Sequence, residues 1–433
     1  MFTVPTPSFL LQIEKMTNQL SLTRVEELRA QFPALSRLHG SKPIAYFDGP
    51  AGTQVPSCVI EAISHYLRTC NANHGGVFAT SIESDALLDE VHAAASDFLG
   101  ATDAQTVFFG ANMTSLTFAL SRALARTWKP GDEVIVTRLD HDANVRPWVL
   151  AARDAGAVIK FAPINQADCT LNLPVLKSLL TNKTRLVAVG AASNSVGTIN
   201  PLREIADAAH DVGALMFVDA VHYAPHGRID VGAWGCDFLA CSAYKFFGPH
   251  IGIMWGRREL LLDIEPYKLR PAPNDLPGRW MTGTQNHECL AGVLAAINYV
   301  AGLGADSSNS PSSRRAKLDN AFRQIVAYEA NLAKQFIEGA ARIPSLTLYG
   351  ITDLNRLAHR VPTFSLRMKG LTSTALAKQL ADQGIFAWHG NYYALELSEQ
   401  LGMEPEGMVR VGMVHYNTPS EVDRLLNALA ECK

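Results

Sequence analysis

Short apolar runs alternate with amphipathic stretches through the middle of the chain. The amphipathic segments, such as 114–127 and 202–213, have the spacing of helices. Apolar runs that alternate with helices are typical of buried strands in a doubly wound α/β sheet that is largely parallel. The runs are TVFFG (106–110), EVIVTRL (133–139), VIKFAPI (158–164), RLVAVGAAS (185–193), LMFVDAVHY (215–223) and DFLACSAY (237–244).

A polar, Ser-rich segment, ADSSNSPSSRRA (305–316), interrupts this pattern and predicts a domain boundary. After it, the pattern predicts a smaller α+β domain, with helices at 317–341, 372–383 and from about 419, and strands at 346–349 and 362–368. We expect an N-terminal arm or helix over 1–40 that packs with the small domain, a large domain over 41–304 and a small C-terminal domain over 305–433.

Composition narrows the class of protein. The chain has 433 residues, of which 48% are hydrophobic and 18% charged, as expected for a soluble enzyme with two packed domains. The formal net charge of -3 gives no reason to expect a nucleic-acid partner. No apolar run is long enough to span a bilayer, so we expect no membrane partner and a cytoplasmic location. The seven cysteines show no CxxC spacing, which predicts neither a disulfide framework nor a metal site.

Polar residues stand where several predicted strands end, which is where ligands bind in open α/β sheets. After Gly110 a helix begins around Asn112, and its exposed amides suit either a bound phosphate or an ordinary cap. Asp219 ends an apolar strand, where a buried carboxylate needs loop amides, a ring nitrogen or a metal as its partner. Lys245 is followed by FFGP, which favours an enclosed, nucleophilic amine over a snorkelling surface lysine.

Three further residues follow the same logic. His141 comes just after EVIVTRL and is either a structural histidine or a ring that stacks on an aromatic ligand. Asn194 is either a turn residue or an amide that orients a ligand, and Ser242 is placed to help bind an anion. Each interpretation is open when taken alone, but together the order of anion turn, histidine, amide, acid and lysine at successive strand ends indicates one ligand pocket.

This set of residues resembles the fold-type-I pyridoxal-phosphate (PLP) enzymes of aminotransferase class V, in their cysteine desulfurase and selenocysteine lyase branch. The resemblance rests on the DAVH segment that begins at Asp219, the SAYK segment that ends at Lys245, and Arg410 in VRVGMVHYNT. It extends from about residue 45 to the C-terminus. The segments YFDGPAGTQVP, NANHGG and RLDHDANV are similar to a divergent, cysteine desulfurase-like subgroup. The fold implied is a large, mostly parallel-sheet α/β domain with a smaller α+β C-terminal domain.

The resemblance also implies roles for individual residues. Lys245 would carry PLP as a Schiff base and then remove the α-proton, Asp219 would pair with the pyridinium nitrogen, and His141 would stack on the ring. Further cofactor contacts implied are Asn112, Met113 (through its amide), Asn194, His222, Ser242, Tyr244 and, from the neighbouring subunit of a homodimer, Thr284. Substrate contacts implied are Asn194, Arg410, Tyr393 and His74.

One segment departs from the family pattern. GIFAWHGNYYALEL aligns with the mobile loop that carries the persulfide cysteine of desulfurases, yet it contains no cysteine. Tyr393 stands about where that nucleophile would be, and Trp388 replaces an arginine. A phenol near its usual pKa accepts sulfur poorly compared with a thiolate. The aromatic residues of this segment indicate either a bulkier substrate or simple packing. Cys70, beside NANHGG, is either a sulfur relay or a small buried hydrophobe.

The leading hypothesis is therefore a PLP enzyme that acts on an amino acid through an external aldimine and a quinonoid, as a cysteine desulfurase-like C–S β-elimination lyase. The alternatives within the family are an aminotransferase, an epimerase or a carbon–carbon bond-forming cyclase. A catalytically silent PLP-fold binding protein is the alternative from another class. The presence of Lys245, Asp219 and Arg410 argues against it, since a decayed site should have lost at least one of them.

Overall fold

The computed structural model describes residues 20–305 and 313–432. Part of the predicted N-terminal arm (1–19) and part of the predicted boundary (306–312) lie outside these ranges. The helices are α1 (Leu22–Arg29), α2 (Ser57–Thr69), α3 (Ala79–Leu99), α4 (Met113–Ala125), α5 (Arg146–Ala155), α6 (Leu173–Leu179), α7 (Leu202–Asp211), α8 (Val231–Trp234), α9 (Arg258–Asp263), α10 (His287–Leu303), α11 (Arg314–Ala340), α12 (Ser373–Asp382), α13 (Leu395–Gln400) and α14 (Pro419–Glu431).

Most strands belong to two sheets, and the rest form short two-residue pairs. The strands are β1 (Leu38–His39), β2 (Lys42–Pro43), β3 (Ala45–Tyr46), β4 (Val107–Gly110), β5 (Glu133–Thr137), β6 (Val158–Ala162), β7 (Ile164–Asn165), β8 (Thr170–Leu171), β9 (Thr184–Gly190), β10 (Leu215–Asp219), β11 (Phe238–Ser242), β12 (Gly252–Gly256), β13 (Leu346–Tyr349), β14 (Thr363–Met368), β15 (Ile385–Phe386), β16 (Trp388–Gly390) and β17 (Met408–Gly412).

The central sheet has seven strands in the order β4-β12-β11-β10-β9-β5-β6. Strand β12 runs antiparallel to both of its neighbours, and the other pairs are parallel. The expected mostly parallel α/β sheet is therefore confirmed. The sequence pattern did not predict β12, because this strand returns directly from β11 through a turn and no helix separates the two.

Both faces of the central sheet are buried, which explains the unbroken apolar runs. Along β9, Leu186 and Ala188 belong to the hydrophobic cluster on one face, and Val187 and Val189 to the cluster on the other. Five of the six predicted strands end earlier than their apolar runs do, at Thr137, Ala162, Gly190, Asp219 and Ser242. After the last three ends the chain is no longer extended, and its residues are buried or half-buried.

The C-terminal part contains an antiparallel sheet of four strands in the order β13-β14-β17-β16. Helices α11, α12 and α14 lie close to the predicted positions. The C-terminal part contacts the N-terminal region in two places: β15, which lies outside the four-stranded sheet, pairs in parallel with β3, and Asp48 forms a bridge with Gly412 of β17. Arg29 of α1 also pairs with Glu421 of α14 at 2.9 Å. Across the two described ranges, no helix has the length and apolarity that a membrane crossing requires.

Candidate active site

A pocket lies at the carboxyl ends of the parallel strands, where the sheet rules place ligands. Strands β9, β10 and β11 are adjacent and parallel, so the loops that follow them meet at one edge. The pocket is lined by Asn112, Met113, Thr114, Asp140, His141, Ala143, Gly190, Ala192, Asn194, Asp219, Val221, His222, Ser242, Tyr244 and Lys245. Among the described residues, every predicted cofactor contact except Thr284 is in this set.

Lys245 is buried at the end of a short turn, Ala243–Lys245, that follows β11 directly. Its Nζ donates to the carbonyl oxygen of Pro50 and lies 4.9 Å from the centre of the Tyr244 ring. Burial, together with the nearby Arg410, lowers the pKa of Lys245 to about 7, although Asp219 acts in the opposite direction. A substantial fraction of this amine is therefore neutral and nucleophilic near neutral pH.

Asp219 is the last residue of β10 and is also buried. Burial raises the pKa of its carboxyl to about 6, while a hydrogen bond from the Val221 amide and the charge of Lys245 lower it. Val221 N donates to Oδ1 at 2.9 Å. A buried carboxylate with a single amide donor is stabilised by a cationic partner, and a protonated ring nitrogen in the pocket would be such a partner.

The N-terminus of α4 faces the pocket from the other side. The Asn112 side chain caps this helix by accepting from Ser115 N at 2.8 Å, and Met113 N donates to Ser242 Oγ at 3.2 Å. Gly252 of β12 allows this approach, because a Cβ there would lie 2.3 Å from the Asn112 carbonyl carbon. The amides and the helix dipole suit a phosphate. The Asn112 side chain is used for capping, so its contribution to a phosphate site is to shape the turn.

His141 lines the pocket, and Tyr393 lies beside it. The two ring centres are 5.5 Å apart with the planes inclined by 31°. The backbone is also joined here, since Asp142 N donates to Tyr393 O at 2.7 Å. His141 Nδ1 accepts from Ala143 N at 3.0 Å, so the ring proton of neutral His141 is on Nε2. Burial, with Lys245 and Arg410 nearby, lowers the pKa of His141 to about 3.

Arg410 lies on β17 and contacts Asn194 of the pocket, although neither Arg410 nor Tyr393 is itself among the lining residues. Its guanidinium donates to the backbone oxygen of Asn194 at 2.8 Å and lies 4.3 Å from the centre of the Tyr392 ring. Asn194 Nδ2 donates to Tyr392 O at 3.0 Å, while Asn194 Oδ1 is buried without a hydrogen-bond partner among the described residues. The residues around this buried acceptor thus leave room for a ligand that donates an N–H or O–H.

Two predicted contacts lie away from the pocket of their own chain. Thr284 is exposed on the loop before α10. His74 is exposed, and its Nδ1 is 3.7 Å from Asp85 Oδ1. Neither residue is in the set that lines the pocket, so any role at an active site would require a second subunit. Cys70 also lies outside that set, as do the other six cysteines, and all seven are free thiols.

The sequence interpretation missed two acidic residues at this site. Asp140 lines the pocket, and burial together with Asp219 raises its pKa to about 8, although it accepts from Gly190 N at 2.8 Å and from Asn144 Nδ2 at 3.1 Å. Asp48 is half-buried near Arg410, outside the lining set, and partial burial raises its pKa to about 6. A sequence signal existed for Asp140, which follows an apolar run as Asp219 does. No comparable signal marked Asp48, which precedes the first long helix.

The pocket has the parts that PLP requires: a buried lysine with a lowered pKa, a buried acid, a histidine face and a helix N-terminus for phosphate. The described residues contain no cluster of His, Cys, Asp or Glu suited to a metal ion. When bound, PLP supplies an electron sink for bonds to the α-carbon of an amino acid. The class of protein defined by this fold and pocket is a PLP-dependent enzyme.

Comparisons with known proteins identify the family. Residues 45–425 match the family model described as Aminotransferase class-V. The chain is 33% identical over 415 residues to the aminotransferase-like protein FGM3 of Gibberella zeae, covering 94% of this chain and 97% of that protein. It is 30% identical over 420 residues to a cysteine desulfurase of Dickeya dadantii, covering 94% and 96%. The apo structure of a cysteine desulfurase from Thermococcus onnurineus NA1 superimposes with a TM-score of 0.83 at 26% identity, covering 94% and 97%.

The chain therefore belongs to aminotransferase class V. It is a PLP-dependent enzyme with the fold-type-I architecture that the resemblance implied.

Proposed function

We propose that this protein is a PLP-dependent C–S lyase that eliminates a β-substituent from a sulfur-containing amino acid. The observation that carries the proposal is a pocket that combines Lys245 and Asp219 with no cysteine among its lining residues. A desulfurase needs such a thiol to accept sulfur, whereas β-elimination needs only a leaving group on the β-carbon. The cysteine desulfurase relative supports an amino acid of this general type as the substrate.

In this proposal, the large domain holds the cofactor. Lys245 carries PLP as a Schiff base, Asp219 pairs with the ring nitrogen, and His141 stacks on the ring. The amides at the start of α4, with Ser242, bind the phosphate, and Asn112 shapes that turn. His222 contacts the ring hydroxyl, where the family commonly has a glutamine, and Tyr244 donates a hydrogen bond beside the lysine.

The C-terminal domain binds the substrate in the same proposal. The guanidinium of Arg410 holds the α-carboxylate, and Asn194 assists from the large domain. Tyr393 closes the pocket against His141. Thr284 and His74 act at the site of a partner subunit.

The proposed reaction is balanced without an oxidant or reductant. A substrate R–S–CH₂–CH(NH₃⁺)–COO⁻ and one water give R–SH, pyruvate and ammonium. The Cβ–S bond breaks, and the α-proton passes to Nζ of Lys245. The departing sulfur takes a proton, and water then hydrolyses the remaining three-carbon unit.

The test is a panel of cysteine, cystine, cysteine S-conjugates and O-acetylserine offered to holoenzyme whose PLP content is known. We expect pyruvate and ammonia in equal amounts from at least one sulfur-containing member, and none with Lys245→Ala. Holoenzyme that binds PLP but turns over no member of the panel would contradict the lyase proposal.

A second candidate is an aminotransferase, and the observation that favours it is the similarity to an aminotransferase-like protein. Absorbance spectra separate the two. An aminotransferase converts its cofactor to the pyridoxamine form when an amino donor is added without an acceptor. A lyase returns to its starting spectrum after each turnover and releases pyruvate.

We also propose a homodimer in the cytoplasm. Large apolar side chains on or beside α2 and α3 are exposed, among them Leu67 at 49%, Val77 at 97% and Phe78 at 58%. An apolar surface of this kind is typical of a protein–protein interface, and it adjoins the segment of His74. Light scattering should give about twice the mass of the 433-residue chain, and a monomer would contradict this part. Free thiols agree with a reducing compartment.

A further inference from the structure

A chain of buried polar groups lies behind His222 and has no role in the function proposed so far. His222 and His226 are in contact, with ring centres 5.4 Å apart. His226 Nδ1 is 2.8 Å from Glu329 Oε2 on α11, and both side chains are only 3% exposed. His415 lies next to this pair, and its Nε2 is 2.7 Å from Tyr299 OH. The groups extend from the pocket into the interior of the protein.

This arrangement is costly for stability. Burial raises the pKa of Glu329, although His226 acts in the opposite direction, and Glu329 Oε1 has no hydrogen-bond partner among the described residues. His415 Nδ1 is likewise buried without a partner there. Replacing a buried hydrogen-bonded pair of this type with apolar residues is often neutral or stabilising. A pair that stability does not require is a candidate for a role at the adjacent pocket.

Residues of the C-terminal part contact both His222 and His226. His222 Nε2 is 2.9 Å from Thr363 Oγ1 on β14, and His226 is held by Glu329 on α11. His222 also lines the pocket. Anchoring one nitrogen fixes the plane of the ring and presents the other nitrogen to a ligand.

We infer that His226, Glu329 and Thr363 are positioning residues that fix His222 against the PLP ring and tune the proton affinity of the bound cofactor. This inference rests on the proposed contact between His222 and the cofactor, and it is independent of the lyase reaction. It makes the C-terminal domain a contributor to cofactor chemistry as well as to substrate binding.

Several charged groups lie around these residues. His222 is faced by Lys245, Arg410, His141 and His226, which all favour its neutral form. His226 lies nearer to the pocket than Glu329, which is also close to His415 and Tyr328. Substituting Glu329 changes the hydrogen bonding that holds His226 against His222. The position of His222, and with it the pH midpoint of the cofactor–lysine linkage, should then shift.

The experiment is a pH titration of the visible absorbance of the PLP-loaded protein. Glu329→Gln keeps the size and one oxygen acceptor but replaces the other carboxyl oxygen with an NH₂ group, so it changes how His226 is held. We expect its absorbance midpoint to shift by about half a pH unit. In a His222→Gln background the same substitution should leave the midpoint unchanged, because the residue that transmits the effect is gone.

Tyr328→Phe is the matched control. It removes a buried hydrogen bond, from Tyr328 OH to Asn417 O at 2.6 Å, one residue away on the same helix, and its midpoint should equal that of the wild type. An unchanged midpoint in Glu329→Gln would overturn the inference, as would an equal shift in the His222→Gln background.

A second pair of variants keeps the test decisive if Glu329→Gln does not fold. Thr363→Val keeps the shape and removes the hydroxyl that anchors His222, whereas Thr363→Ser keeps the hydroxyl. We expect a shifted midpoint in Thr363→Val and the wild-type midpoint in Thr363→Ser. Equal midpoints in both variants would overturn the inference. The absorbance titration needs no turnover, so failure of the lyase proposal would not be confused with failure here.

Discussion

Two regions at and near the pocket differ in burial. On the proposed cofactor side, at the ends of the central strands, Lys245 and Asp219 are each only 8% exposed. On the side nearer the C-terminal sheet, called the small-domain side, Trp388 is 53% and Tyr393 73% exposed, and neither is a lining residue. The proposed function gives the first side the cofactor, and the family resemblance expects a desulfurase's cysteine on the second, where this chain has aromatic residues.

The difference in burial indicates which side chains are constrained by the chemistry. Buried polar groups must be paired or have perturbed pKa values, so the cofactor side tolerates few changes. Exposed side chains at the pocket entrance carry no such cost, and they are free to differ between enzymes with different substrates. Tyr392 and Tyr393 both occupy positive-φ backbone conformations, at 55° and 60°, in the segment where the family resemblance expects the cysteine loop.

The largest expected effect is on the cofactor side. Lys245→Ala removes the amine that attaches the cofactor and moves the α-proton, so activity should fall at least about 10³-fold. The visible absorbance band of the wild-type holoenzyme should also disappear. Circular dichroism of the variant controls for folding. A folded variant that retains both the band and the activity would show that Lys245 is not essential, and would contradict the importance given to the cofactor side.

The second effect concerns the stability of the protein without PLP. The pKa of Lys245 is lowered from 10.5 to about 7 in the folded state, so charging this amine weakens folding most below pH 7. Lys245→Met should therefore be more stable than the wild type at pH 6, by up to about 5 kcal/mol. The difference should shrink as the pH rises from about 7 to about 10.5, since the unfolded chain then loses the same proton.

Denaturant unfolding of both apo proteins across this pH range measures the difference. Lys369→Met, at an exposed position of the C-terminal domain, is the matched control and should show no such trend. A pH-independent difference for Lys245→Met would mean that the buried lysine has little energetic effect.

The smallest effect should come from the small-domain side. Tyr393→Phe keeps the ring beside His141 and the backbone bond to Asp142, so kcat/KM should change less than about threefold. Tyr393→Ala removes the ring contact and should lower kcat/KM by about two- to tenfold. Steady-state kinetics on the best substrate of the panel checks both. A fall in kcat/KM of about 100-fold in Tyr393→Phe would assign the phenol a chemical step. Both sides would then contribute to the reaction.

Much of the fold was predictable because its signals are local. Apolar runs separated by amphipathic segments predicted six strands of the central sheet, and Asp219 and Lys245 stood out as polar residues at the ends of buried strands. The antiparallel strand Gly252–Gly256 was not predicted, because a strand that returns through a turn lacks the helix that marks the others. Asp140 also follows an apolar run, but the sequence interpretation selected only Asp219. Only the pocket shows that the two acids lie together.

The sequence by itself determined the alternation of strands and helices and the family resemblance, and it predicted the cofactor residues, since each depends on a residue and its near neighbours. Only the tertiary structure decided which distant residues meet. Arg410 contacts Asn194 from 216 residues away, and His226 meets Glu329 from 103 residues away. These pairs form where residues of the C-terminal part pack against residues that follow the strand ends. Burial in that contact region, which no local pattern encodes, determines which groups are paired, which are left without partners and which have altered pKa values.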